Sequence, residues 1–85
     1  MSTFDTAVKI IAEEYREECA EHDCTIRELF KCWQFDFDDM REEFTYILNQ
    51  TELCEYVTDD CEIFDDDGSI KTLKQLVSAV KKYQF

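Results

Sequence analysis

The chain has 85 residues, 45% of them apolar and 14% aromatic, and a formal net charge of −12. This length suits one domain, residues 1–85, and the aromatic content excludes a disordered acidic tail. The charge argues against direct binding to nucleic acid or to an anionic membrane, because both would repel it.

The first predicted element is a helix from about Thr3 to Ala20. Ser2 and Asp5 approximate a capping box at its start. Apolar residues then recur at helical spacing and should face the core. They are Phe4, Ala7, Val8, Ile11, Tyr15 and Cys19.

A pair of helices is predicted between Cys24 and Asn49. Thr25 and Glu28 fit the S/T-x-x-E capping box, and Asp36 is a good N-cap for the second helix of the pair. The two apolar stripes should face each other and bury Trp33 with Phe44 in one core. The first stripe holds Ile26, Leu29, Phe30 and Trp33, and the second holds Phe37, Met40, Phe44, Ile47 and Leu48.

Short strands are predicted after Asn49, where the helical period stops. Leu53–Thr58 and Cys61–Phe64 are rich in β-branched and aromatic residues, and acidic turns follow each of them. The sequence Asp65–Gly68 suits a hairpin loop leading into Ser69–Lys71. A hairpin or a three-strand meander is therefore expected, with the alternative that the preceding helix continues through Cys54.

The last predicted element is a helix from Leu73 to about Tyr83. Thr72 and Gln75 form its capping box, and Leu76 belongs to its buried stripe. The predicted order is thus α-α-α-β-β-α. It describes an α+β fold that is mainly α: a helical core of three helices, a short hairpin and a C-terminal helix.

The cysteines are predicted to be reduced thiols in a cytoplasmic protein. No export signal and no apolar run of about 18 residues is present in the sequence. Cys19, His22 and Cys24 lie close together, but their spacing matches no common zinc pattern, so no metal is predicted. Asp65–Ile70 looks like part of a calcium loop. Ile63 and Lys74, however, stand where that loop requires carboxylates.

Two resemblances bear on the fold. Three helices followed by a hairpin is the order of a winged helix domain, but the helix that would enter the groove carries Asp38 and Glu42 rather than cations. The two ends of the chain, STFDTAVKIIAEEY and IKTLKQLVSAVKKY, resemble those of an acyl carrier protein. Phe37 stands where that family has the serine that bears its prosthetic arm. The resemblance therefore implies a carrier-like fold without carrier activity.

No enzymatic constellation stands out, because the chain has one histidine and no glycine-rich phosphate loop. The acids themselves suggest a function: residues 46–68 carry eight of them and no base. On a rigid core they could imitate the phosphates of nucleic acid. The predicted binding residues are Asp38, Asp39, Glu42, Glu43, Glu55, Asp59, Asp60, Glu62, Asp65, Asp66 and Asp67.

The sequence therefore predicts a monomeric, non-enzymatic acidic protein without cofactors that occupies the basic nucleic-acid-binding groove of a partner protein. Small phage or mobile-element inhibitors of restriction, CRISPR or transcription machinery include many chains of this size and charge. The alternative is a protein–protein interaction module of a larger complex. Such a module would use the lysine-bearing last helix or an aromatic patch.

Overall fold

A computed structural model describes residues 2–85 and has the predicted mainly helical α+β character. Its helices are α1 (Thr3–Glu14), α2 (Arg16–His22), α3 (Ile26–Cys32), α4 (Phe37–Asn49) and α5 (Leu73–Lys82). A 3-10 helix spans Glu52–Tyr56. Strands β1 (Ile63–Phe64) and β2 (Ile70–Lys71) pair antiparallel.

The first predicted helix is in fact two helices, because the chain turns at Tyr15 between α1 and α2. Both flanking segments keep their apolar residues on the core side, so the hydrophobic period does not reveal the break. The acids do offer a reason. Glu13 and Glu17, like Glu14 and Glu18, would be like-charged neighbours four residues apart on a continuous helix, which is destabilising.

All three complete capping boxes lie at predicted helix starts. Thr25 with Glu28 opens α3, Asp36 opens α4, and Thr72 with Gln75 opens α5. In each box the N-cap side chain accepts a bond from the backbone N–H three residues later. The side chain of that later residue then bonds back to the N-cap N–H.

Two helices end in a left-handed residue that is not glycine. Asp23 ends α2 with φ of 51°, and Gln34 follows α3 with φ of 56°. At the end of α3 the Phe35 N–H donates to the Phe30 carbonyl over 2.9 Å, which is the Schellman arrangement. It places the Phe35 ring against Phe30, with ring centroids 5.1 Å apart.

The predicted burial of Trp33 and Phe37 is wrong. Trp33 is 44% exposed and Phe37 is 50% exposed, whereas Phe44 is fully buried. The cause is the turn at Gln34, which brings Phe35 rather than Trp33 onto the inner side of α3. The other predicted members of the two stripes are buried.

The region after α4 also differs from its prediction. Leu53–Thr58 does not form a full strand; the 3-10 helix occupies most of it, and only Val57 makes a bridge, to Ile63. Helix α4 ends at Asn49, so it does not continue through Cys54 either. The hairpin predicted around Asp65–Gly68 is confirmed, with Phe64 opposite Ile70.

Both acidic turns have the same backbone design. In the first, the Cys61 N–H donates to the Thr58 carbonyl; in the second, the Gly68 N–H donates to the Asp65 carbonyl. Each turn closes with a left-handed residue, Cys61 at φ 60° and Gly68 at φ 85°. This is the three-residue hairpin loop with a bulge, in which glycine usually holds the last position. The first turn uses a buried cysteine instead.

The buried residues form one hydrophobic cluster to which α1, α3, α4, β1 and α5 all contribute. Helix α1 lies at its centre, with Ala7, Ile11 and Ala12 completely buried. None of the helices in residues 2–85 is long and apolar enough to cross a bilayer.

Candidate protein-binding surface

The predicted binding acids fall into two groups: in one the carboxylates accept hydrogen bonds within the fold, and in the other they accept none. Nine of the eleven are exposed, and Glu62 and Asp65 are half-buried. The exposed ones are Asp38, Asp39, Glu42, Glu43, Glu55, Asp59, Asp60, Asp66 and Asp67. Several of them, however, stabilise the fold through hydrogen bonds.

Helix α4 carries four of these acids on its solvent side. Asp39 completes the capping box, because its carboxylate accepts the Asp36 N–H over 3.2 Å. Asp38 lies 3.7 Å from the Arg41 guanidinium, and this pair is too exposed to hold either side chain rigidly. Glu42 and Glu43 have no hydrogen-bond or ion-pair partner in residues 2–85 and face solvent.

The turn that bears Asp59 and Asp60 is anchored beside the same helix. Cys61, which closes this turn, is completely buried. Burial raises the pKa of its thiol, and the Thr45 hydroxyl and the Arg41 charge oppose that rise. The 3-10 helix before this turn packs against α4, and Cys61 belongs to the hydrophobic cluster to which α4 contributes.

Helical geometry places two of the α4 acids in one row. Residues three and four apart share one side of a helix, so Asp38, Arg41, Glu42 and Thr45 form a single row on α4. Asp59 and Asp60 are exposed in the turn after the 3-10 helix, and that helix packs against α4. We call these four acids the α4 acidic surface.

Asp65 and Asp66 serve another purpose, which sequence reasoning missed. The Asp65 carboxylate accepts the Phe4 N–H over 3.2 Å, and the Asp66 carboxylate accepts the Thr3 N–H at the same distance. Asp66 also accepts the Thr3 hydroxyl. Two carboxylates of the hairpin loop thus cap the start of α1, where the helix dipole favours negative charge.

The Asp67 carboxylate likewise accepts hydrogen bonds within its own turn. Hydrogen bonds from the Ser69 hydroxyl and N–H hold the pKa of Asp67 below its usual range. The N–H bond measures 2.9 Å. Since Asp65, Asp66 and Asp67 all bond their own turn or α1, the hairpin loop is a structural element first. The negative charge of the loop still contributes to the electrostatic field of the molecule.

The basic side chains gather elsewhere. An open groove of about 620 Å³ runs between the start of α1 and α5, and Lys71, Lys74 and Lys82 line it. Phe4 and Ala79 contribute apolar surface to the same groove. The molecule therefore has a lysine-bearing side as well as an acidic one, as the charge blocks of the sequence indicate.

The cysteine–histidine segment does not group His22 with Cys19 and Cys24. Cys24 bonds back to Cys19 through its backbone N–H over 3.0 Å. The Cys19 pKa is raised by burial and by the adjacent Cys24 thiol. His22 turns away to Glu18, with Nε2 and Oε2 3.6 Å apart, and with Glu21 these form an exposed cluster. Within residues 2–85, which include all five cysteines, no two thiols are joined.

The turn between α3 and α4 forms an exposed aromatic corner that the stripe pattern concealed. We define it by Trp33 and Phe37, both about half exposed, and by the buried Tyr15, which packs against Trp33. The Tyr15 and Trp33 rings meet edge to face, with centroids 6.2 Å apart. Tyr15 is 5% exposed, yet its hydroxyl has no hydrogen-bond partner among residues 2–85.

Comparison with known proteins adds no assignment: no family model, no curated protein and no solved structure matches this chain. The functional argument therefore depends on the charges, the exposed rings and the rigidity of the surfaces described above.

Proposed function

We propose that this chain is a non-enzymatic acidic binding protein that docks into the basic nucleic-acid-binding groove of a partner protein. The partner would lose access to its nucleic acid, as in the phage-encoded DNA mimics that inhibit restriction or CRISPR systems. Its five cysteines as separate thiols favour a cytoplasmic setting for this function.

The observation that carries the proposal is the exposure of Asp38, Glu42, Asp59 and Asp60, whose carboxylates accept no hydrogen bond in residues 2–85. They belong to two segments, α4 and the turn that the buried Cys61 closes, and the 3-10 helix before that turn packs against α4. Acids on a folded backbone lose less conformational entropy on docking than those of a flexible acidic tail do. The total charge of −12 also exceeds the magnitude of about 2–8 that solubility requires in a small domain.

The spacing of the acids supports mimicry of a phosphate backbone. Residues four apart on a helix are separated by about 6 Å along its axis, close to the spacing of phosphates along one strand of nucleic acid. Asp38 and Glu42 have this separation on α4, and so do Asp39 and Glu43. A groove that binds phosphates at that spacing has cations where these carboxylates would fall.

The test is capture followed by competition. The chain is immobilised and exposed to a lysate of its host, and bound protein is eluted with rising salt or with duplex DNA. We expect a nucleic-acid-binding protein that duplex DNA displaces and that salt releases steeply, because exposed charge pairs are screened. A captured protein that resists both salt and DNA would contradict the proposal.

Variants locate the interface on the molecule. Asp59→Asn with Asp60→Asn removes two charges from residues without hydrogen bonds in the fold, so association should slow while the circular dichroism spectrum stays unchanged. The matched control is Lys74→Gln with Lys82→Gln on the lysine-bearing groove. If only the lysine variant loses the partner, the chain is instead an interaction module that docks through α5.

A further inference from the structure

We propose that Trp33 is the anchor of this interface and stacks on an arginine side chain of the basic partner. The inference rests on the proposed function, and it names the group that the partner presents. It places the strongest single contact at the aromatic corner rather than within the acidic surface itself.

The Trp33 ring is held ready for such a contact. It packs edge to face against Phe35 at 6.1 Å and against Tyr15 at 6.2 Å, and 44% of the residue remains exposed. A ring fixed by its neighbours loses little side-chain entropy when a partner covers it. Tryptophan is also the best aromatic acceptor of a cation and is enriched among the residues that dominate binding energy.

The Tyr15 hydroxyl supplies an unused hydrogen-bonding group next to this ring. It is buried within the aromatic cluster and has no partner. Burial raises the pKa of Tyr15, and the charges of Glu43 and Glu14 add to the effect, so the hydroxyl stays neutral. A hydrogen-bond donor that stacks on Trp33 would supply the partner that this hydroxyl lacks.

The charges around the corner favour a cation as the occupant. Asp36 and Asp38 lie on the same turn as Trp33, and Glu43 and Glu14 face Tyr15 from α4 and α1. Three cations are close to the corner in the chain: Arg16 pairs with Glu13 at 3.3 Å, Arg41 pairs with Asp38 at 3.7 Å, and Lys31 is exposed at the end of α3. The carboxylates exceed these cations, so the corner keeps a negative balance.

Arginine fits this corner better than lysine does. Its guanidinium is planar and can stack on the indole while its edge donates to a carboxylate and to the Tyr15 hydroxyl. A lysine ammonium is a compact and strongly hydrated charge, so it would gain from the carboxylates but less from the ring. Preference for arginine over lysine is therefore the signature of the proposed contact.

The experiment uses two synthetic peptides of equal length and charge, one with arginine and one with lysine alternating with glycine. Binding to the full chain is measured by calorimetry and by the fluorescence of Trp33, the only tryptophan. We expect the arginine peptide to bind about threefold to tenfold more tightly, the range that a cation–π contact gives. Trp33→Ala should abolish this preference, and Trp33→Phe should keep part of it.

Controls separate failure of this inference from failure of the proposed function. Phe64→Ala removes a ring that is 47% exposed on the hairpin and should leave the preference unchanged. Asp59→Asn with Asp60→Asn should weaken both peptides alike; no effect on either would contradict the proposed function. Equal affinity for the two peptides, no binding of either, or a preference that survives Trp33→Ala in a folded variant would overturn the role of Trp33.

Discussion

The carboxylate of Asp65 accepts a hydrogen bond from the N–H of Phe4, although the two residues are 61 positions apart in the chain. Together with Asp66 it joins the hairpin loop to the first turn of α1. Two of the acids predicted to bind a partner therefore hold the fold together. Charge reversal at these positions would alter the structure as well as the surface.

Loss of this cap should destabilise the protein. Asp65→Ala with Asp66→Ala removes acceptors for two N–H groups of α1 and should lower the free energy of unfolding by about 1–2 kcal/mol. Urea denaturation measures the change. Asp59→Ala with Asp60→Ala is the matched control, because these exposed carboxylates accept no hydrogen bond in residues 2–85. Equal effects of the two pairs would contradict the capping role.

The exposure of Trp33 changes what its removal should cost. Trp33→Ala is expected to cost about 1–2 kcal/mol, since part of the ring already lies in water. Phe44→Ala should cost about 3–5 kcal/mol, because Phe44 is completely buried. Thermal and urea unfolding compare the stability of the two variants. Emission of native Trp33 at the wavelength of a fully buried indole would contradict its partial exposure.

The left-handed residue after α3 offers a stabilising change. Gln34 has φ of 56°, a conformation that glycine adopts without steric cost. Gln34→Gly should therefore raise the free energy of unfolding by about 0.5–1 kcal/mol, net of the extra entropy of the unfolded chain. Gln34→Val should lower it, because a β-branched residue tolerates this region poorly. Urea denaturation measures the free energy of unfolding of both variants.

Tyr15 predicts how stability depends on alkaline pH. Its pKa is raised in the folded protein, so the native state keeps its proton while the unfolded state loses it near the ordinary value of about 10. The stabilisation is complete below that value and falls as pH rises above it towards the folded pKa.

Tyr15→Phe should remove this loss. Unfolding midpoints measured from neutral to strongly alkaline pH should fall less steeply for this variant than for the parent chain. Near pH 7 the variant should be as stable as the parent or more so, because it lacks an unsatisfied buried hydroxyl. Tyr46→Phe, at a position 65% exposed, is the control and should leave the alkaline slope unchanged.

The sequence alone predicted those features that depend on neighbours a few residues apart. The capping boxes at Thr25 and Thr72 and the N-cap at Asp36 are of this kind, since an N-cap and its partner are three residues apart and bond wherever the helix lies. The buried stripe of α5 and the turn at Gly68 follow from local spacing and backbone freedom in the same way. The acidic character of residues 46–68 needs no structure at all.

Only the tertiary structure decided which acids stay available and which rings stay exposed. Asp65 and Asp66 bond to the start of α1 across most of the chain, and no local pattern encodes this contact. Trp33 belongs to a helical stripe by spacing, yet the left-handed turn at Gln34 puts Phe35 in its place against Phe30. Periodicity states which side of a helix is apolar, whereas burial depends on where the chain turns next.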